Sequence, residues 1–123
     1  MTDNTLLIAL DSFIESHSKE INGIKVIADT DLADLFEISI NHLHQKVATN
    51  LSRFPSDFLL VLSKTEQQQL KGERYAFTEA GLFMFAGLLK SKKAIKVNIG
   101  LIQLLVERQP GIGFKLAAEK NDL

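Results

Sequence analysis

Apolar side chains recur at helical spacing along TLLIALDSFIESHS, where Leu6, Leu7, Leu10, Phe13, Ile14 and His17 share one side. This predicts an amphipathic helix at the amino end, with its acids on the opposite side. The period then changes. In EINGIKVIA two short β-branched runs flank Asn22-Gly23, the pair best suited to a type I′ turn with positive φ at both central residues, and a β-hairpin is expected. ADTDLADLFEISINHLHQKVATN returns to a helical period and reads as two helices with about three residues between them. Asp29 or Thr30 is expected to cap the first, which turns Leu32, Leu35 and Phe36 inward, with Asp31 and Asp34 near its amino end. Ser39 is expected to cap the second, whose inward residues are Ile40, Leu43 and Val47.

The next stretch, NLSRFPSDFLLVLS, places two Phe around a proline. Pro55 cannot continue the preceding helix but can begin a new turn, so a corner is expected, pinned by Phe54 and Phe58 and followed by a strand over LLVL. Ser63 and Glu66 have the spacing of a capping box for the polar helix TEQQQLK, which Gly72 ends. RYAF is expected to pair as a strand with FLLVLS, Thr78 to cap an apolar helix over EAGLFMFAGLL, and Ser91 to cap a last helix over KKAIKVNIGLIQLLVER. On that last helix Ala94, Ile95, Asn98, Leu101, Ile102 and Leu105 form one side, and Val97 and Leu104 widen the apolar area beyond a normal stripe. The excess leaves two uses open, internal packing or a homodimer, and for the homodimer Val97, Leu101 and Leu104 are the expected interface.

These elements predict an α+β fold: a single helix-turn-helix-containing domain with a small β-hairpin or sheet and amphipathic amino- and carboxyl-terminal helices. Its 123 residues suit one domain. The expected division is an amino-terminal helix over 1–19, the main domain over 20–108 and a tail over 109–123. With no cysteine there are no disulfides, thiolate metal sites or Cys nucleophiles. The amino end lacks the basic region of a signal peptide and no apolar run approaches a membrane span, so a cytoplasmic protein without a membrane partner is expected.

Charge is nearly balanced overall but uneven along the chain. Residues 1–37 hold eight acids against Lys19 and Lys25, whereas the remainder holds twelve Lys or Arg against seven acids, with Lys90, Lys92, Lys93 and Lys96 clustered. Such asymmetry suits a polyanion, although a basic cluster is also a common solvated helix face.

Two short helices joined by a tight turn are the arrangement in which the second can enter a DNA major groove. At about 100° per residue, Asn41, His42, Gln45 and Thr49 point away from the inward face and Lys46 flanks them. Together with the helix-end residues Ser39 and Asn50 these are the candidate groove contacts: Asn and Gln can pair with adenine, Lys with phosphate. Arg53, Lys90, Lys92, Lys93 and Lys96 are candidate phosphate contacts; Arg53 could instead pair with Asp57. The same polar side could equally be an ordinary solvated helix face.

No metal or other cofactor is expected. His42 and His44 diverge by about 200° on a helix, unlike the i, i+4 pair of helical zinc sites. Gly111-Ile112-Gly113 follows a helix rather than opening one, Glu79 reads as a first-turn charge, and no catalytic residue is assigned.

INGIKVIADTDLADLFEIS, NLSRFPSDFLLVLS and YAFTEAGLFMFAGLLKSKKAIKVN, in that order, resemble the phage ORF-six-N domain of the KilA-N and Bro-N superfamily over about residues 20–108. The resemblance rests on Arg-Phe-Pro-x-Asp-Phe, then Phe-Thr-Glu-x-Gly and Leu-Lys-Ser-Lys-x-Ala. It implies an α+β module that binds double-stranded DNA, usually joined to a separate carboxyl-terminal domain in phage antirepressors and regulators. Where that family commonly has a basic pair before its Asn this chain has Ala48 and Thr49, where it often has a turn Gly it has Glu37, and where its last helix often has Arg it has Gln103. Fewer phosphate contacts follow. The function expected is a sequence-specific DNA-binding regulator of phage or mobile-element type. The alternative is an antirepressor-like module that binds a repressor or another protein.

Overall fold

The computed structural model describes residues 4–108. The chain runs α1 (Asn4–His17), β1 (Lys19–Ile21), β2 (Ile24–Ala28), α2 (Asp29–Phe36), α3 (Ile40–Ala48), a 3-10 turn (Leu51–Arg53), β3 (Leu59–Val61), α4 (Lys64–Leu70), β4 (Tyr75–Phe77), α5 (Glu79–Leu88) and α6 (Lys92–Arg108). This is the expected α+β domain. The four strands form one antiparallel sheet in the order β1-β2-β4-β3. Asn22 and Gly23 have φ of 51° and 81°, so the hairpin closes through the turn its sequence calls for. No helix among the described residues is long and apolar enough to cross a membrane.

The two faces of the sheet serve different cores because successive strand residues point in opposite directions. Ile27, Leu59, Tyr75 and Phe77 join the main core with Leu32, Phe36, Leu43, Val47, Leu82 and Phe85. Val26, Ala28, Leu62 and Ala76 pack on the other side with Ile21 and with Leu70 of α4. The central aromatics are linked edge to face: Phe77 lies 5.6 Å from Phe85 and 6.0 Å from Phe54.

The Arg-Phe-Pro-x-Asp-Phe corner and the Phe-Thr-Glu-x-Gly stretch hold each other. Phe54 is buried and Phe58 packs partly buried against the same core. The Phe58 carbonyl accepts the Thr78 amide at 3.1 Å, and the Thr78 hydroxyl donates to the Asp57 carbonyl at 2.8 Å. That hydroxyl also accepts the Gly81 amide, capping α5. Gly81 must be glycine because a Cβ there would lie 2.0 Å from the Phe58 carbonyl oxygen. Arg53 makes no ion pair with Asp57 among the described residues. The capping box on α4 and the Ser91 cap on α6 form as expected.

Two expectations are corrected. Neither Asp29 nor Thr30 caps α2: both lie in its first turn, Asp29 as the first residue and fully buried, and the capping position, Ala28, has no side-chain bond. The Asp29 carboxylate instead accepts the amides of Glu73 on Oδ1 (2.9 Å) and of Arg74 and Tyr75 on Oδ2 (2.9 and 3.0 Å), with His44 Nε2 on Oδ2 at 2.7 Å. One acid thereby joins the start of α2, the middle of α3 and the entry to β4.

The face of α6 is the second correction. Val97, Leu101 and Leu104 are 4%, 0% and 7% exposed, inside the main core with Ala94, so none is available to a second copy. Gly100 is buried where α1 crosses, its missing Cβ leaving room for Leu6 and Leu10. Ile95 and Ile102, expected inward, are outside. Every side of this helix carries apolar residues, so periodicity could not rank them.

Burial alone would raise the pKa of Asp29, but the Glu73 amide, His44 and the Tyr75 and Arg74 amides outweigh it and hold the carboxyl below its ordinary value of 3.8. A lowered folded pKa means stability present above pH 3.8 and lost as pH falls through the folded value. Acid unfolding monitored by circular dichroism should therefore lose a step below pH 4 in Asp29→Ala, which should also cost about 3 kcal/mol or more in denaturant melts by stranding buried donors. Gly81→Ala should cost at least about 3 kcal/mol, because backbone rather than a flexible side chain must yield.

Candidate nucleic-acid interface

The α3 helix is held at both ends by its own sequence. The Ser39 hydroxyl accepts the His42 amide at 3.0 Å, satisfying an amide at the amino end. At the other end Asn50 Nδ2 donates to the Lys46 carbonyl at 2.8 Å and the Thr49 hydroxyl to the Gln45 carbonyl at 3.0 Å. Leu43 and Val47 are fully buried. His44 is drawn inward by Asp29 and stands edge-on to Tyr75 at 5.5 Å.

What remains outward is a compact polar set. Asn41, His42, Gln45 and Thr49 are exposed and Lys46 is half-buried beside them. His42, Gln45, Lys46 and Thr49 line a shallow depression of ≈ 240 Å³. The expected set thus divides. Ser39, Thr49 and Asn50 hold the helix ends, whereas the side chains of Asn41, His42, Gln45 and Lys46 have no role in capping α3.

The turn between α2 and α3 covers residues 37–39 and begins with Glu37 at φ 56°, the left-handed region that favours glycine. Its carboxylate pairs with the Lys93 ammonium. The core packing of α6 puts its amino end, and with it the run Lys90, Lys92, Lys93 and Lys96, beside the turn that leads into α3, where this contact forms. All four lysines are exposed. Both partners of the Glu37–Lys93 pair are at least half exposed, so the pair itself contributes little to stability. Its electrostatic effect is to place an acid within the basic patch. Arg53 lies apart from the depression, at a groove of ≈ 420 Å³ formed with Ala80, Phe83, Met84, Gly87 and Leu88 of α5.

The functional-sequence motifs can now be separated into what folding uses and what it leaves. Leu89 and Ala94 are buried and Ser91 caps α6, so the Leu-Lys-Ser-Lys-x-Ala stretch spends those residues on the core. Lys90 and Lys92 have no such use. No group of His, Cys, Asp or Glu able to hold a metal occurs among the described residues. His44 was missed as a structural ligand; the only signal was its place between Ile40 and Val47, near the inward side.

Compared with known proteins, residues 16–88 match the family model of the ORF6N domain. The chain belongs to the ORF6N domain family. No curated protein and no solved structure matches it. The ORF6N match contains α2, α3, the Phe54–Phe58 corner and α5 but ends before the lysines of α6.

Removing a helix-end contact and removing a free side chain should differ in effect. Ser39→Ala should cost about 1 kcal/mol in denaturant melts, whereas Gln45→Ala should stay within about 0.5 kcal/mol of the parent. Glu37→Gly should relieve the left-handed strain and gain up to about 1 kcal/mol, since the exposed ion pair it loses offsets little.

Proposed function

We propose that this ORF6N domain is a non-catalytic, cytoplasmic regulator of phage or mobile-element type that binds double-stranded DNA, with α3 in the major groove and the α6 lysines on the phosphate backbone. The observation that carries the reading is the Glu37–Lys93 contact. It marks where the basic end of α6 lies beside the turn ahead of a helix whose outward side is Asn41, His42, Gln45 and Lys46. Asn and Gln offer the paired donor and acceptor that adenine requires in the major groove, and lysines supply the charge that anchors register. Family membership supports the same reading at the level of a phage-type regulatory domain. The regulator is proposed to act as a homodimer, which would join two weakly basic readers on adjacent half-sites.

A second reading, an antirepressor-like module that binds a repressor or another protein, is favoured by one feature. The groove beside Arg53 is lined by Phe83, Met84 and Leu88, and Gly87 leaves it open. Adaptable Met and aromatic surfaces suit protein partners.

Binding to duplex DNA measured by fluorescence anisotropy distinguishes the two. With about four phosphates neutralised, log affinity should fall with log salt at a slope near −3.6. Gln45→Ala should weaken a preferred sequence by about 1–3 kcal/mol and leave random DNA unchanged, whereas Lys90→Ala should weaken both alike. Absence of binding to genomic fragments at about 50 mM salt would reject the DNA reading in favour of a protein partner.

A further inference from the structure

The α6 helix turns three sides to three environments. Ala94, Val97, Leu101 and Leu104 enter the core, Gly100 meets α1, and Ile95, Ile99, Ile102 and Val106 are left outside, each 49–51% exposed. At about 100° per residue these last four fall within a sector of about 60°, so they form one seam rather than scattered apolar residues. Their spacing of four, three and four is that of alternating d and a positions in a coiled coil.

The seam is also complementary to itself when reversed. Laid antiparallel on a second copy about a two-fold axis, Ile95 meets Val106 and Ile99 meets Ile102, so all four are used in matched layers. On the flank of the seam the same reversal sets Lys92 against Glu107 and Lys96 against Gln103. Lys92, Lys96 and Glu107 make no ion pair among the described residues. Parallel pairing would instead bring each lysine to its own counterpart, placing like charges side by side. A two-fold interface requires this kind of self-complementary surface.

We propose that the occupant of this seam is a second copy of the chain, packed antiparallel through Ile95, Ile99, Ile102 and Val106, with Lys92 facing the partner's Glu107. This assigns both the surface and the orientation of the homodimer, and it holds whether or not α3 meets DNA. The helix is already formed and fixed on its own core, so pairing does not bear the ordering cost of isolated coiled-coil peptides. The seam is short, which places the association in the micromolar range rather than the nanomolar.

Sedimentation of the full chain from about 1 to 100 μM should show the mass rising toward twice that of the monomer. Ile99→Glu should raise Kd at least about 100-fold with no loss of melting cooperativity, since the side chain is outside the core. Glu107→Lys should weaken the dimer several-fold, and adding Lys92→Glu should restore it. The chain has no cysteine, so orientation can be read directly. Ile95→Cys chains mixed with Val106→Cys chains should form a mixed disulfide, whereas Ile95→Cys alone should not, because antiparallel packing separates the two copies of residue 95 by about 16 Å along the axis. A monomer throughout that concentration range overturns the proposal, whether the seam stays bare or residues 109–123 occupy it. So does a dimer indifferent to Ile99→Glu, or ready cross-linking of Ile95→Cys to itself.

Discussion

The buried carboxylate of Asp29 is the contact on which the remaining geometry depends. It accepts amides from residues 44, 45 and 46 positions later in the chain, and the His44 side chain 15 positions later. Through these bonds the first residue of α2 fixes the entry to β4 and the rotation of α3 about its own axis. With His44 turned inward beside Leu43 and Val47, Asn41, His42 and Gln45 are obliged to face outward. The Thr30 hydroxyl adds a bond to the Lys71 carbonyl, and Gly72 packs within 3.3 Å of Asp29 Oδ1 at its notional Cβ. A single ionised side chain, fully satisfied away from water, thus orients the helix on which the functional reading rests.

A second constraint acts on the other side of the sheet's main core. The close approach of Gly81 to the Phe58 carbonyl, with the bonds from Thr78, positions α5 against the Phe54–Phe58 corner. Leu89 and the Ser91 cap then turn the chain into α6, whose first lysines arrive beside Glu37. The motifs that mark the ORF6N family are, residue by residue, mostly devices for this corner. Their exposed cation, Arg53, is the member folding does not require, and Lys90, Lys92 and Lys93 lie beyond the ORF6N match.

Local chemistry was legible in the sequence. Asn22-Gly23, the Ser63–Glu66 box and the caps Ser39, Thr78 and Ser91 act within a few residues, and each stands where its spacing placed it. Asp29 was not legible, because an acid at a helix start looks like a cap until its partners, three of them more than forty residues away in sequence, are known. The sides of α6 were misjudged for a related reason: an all-round apolar helix carries no internal sign of which side its neighbours cover. Gly100 was the available clue, since a residue without a side chain in a long apolar helix marks a crossing, here by α1. The outward set on α3 followed from Ile40, Leu43 and Val47; its division into helix-end and free side chains required the hydrogen bonds.

The most direct test of a joint surface on α3 and the start of α6 is a titration of labelled protein with duplex DNA, following backbone amide chemical shifts. Amides of residues 41–49 and 90–96 are expected to shift together, in one exchange regime and with one affinity, while those lining the groove of Phe83, Met84, Gly87 and Leu88 stay in place. Shifts confined to that groove, or the absence of shifts on α3 when the lysines respond, would contradict it.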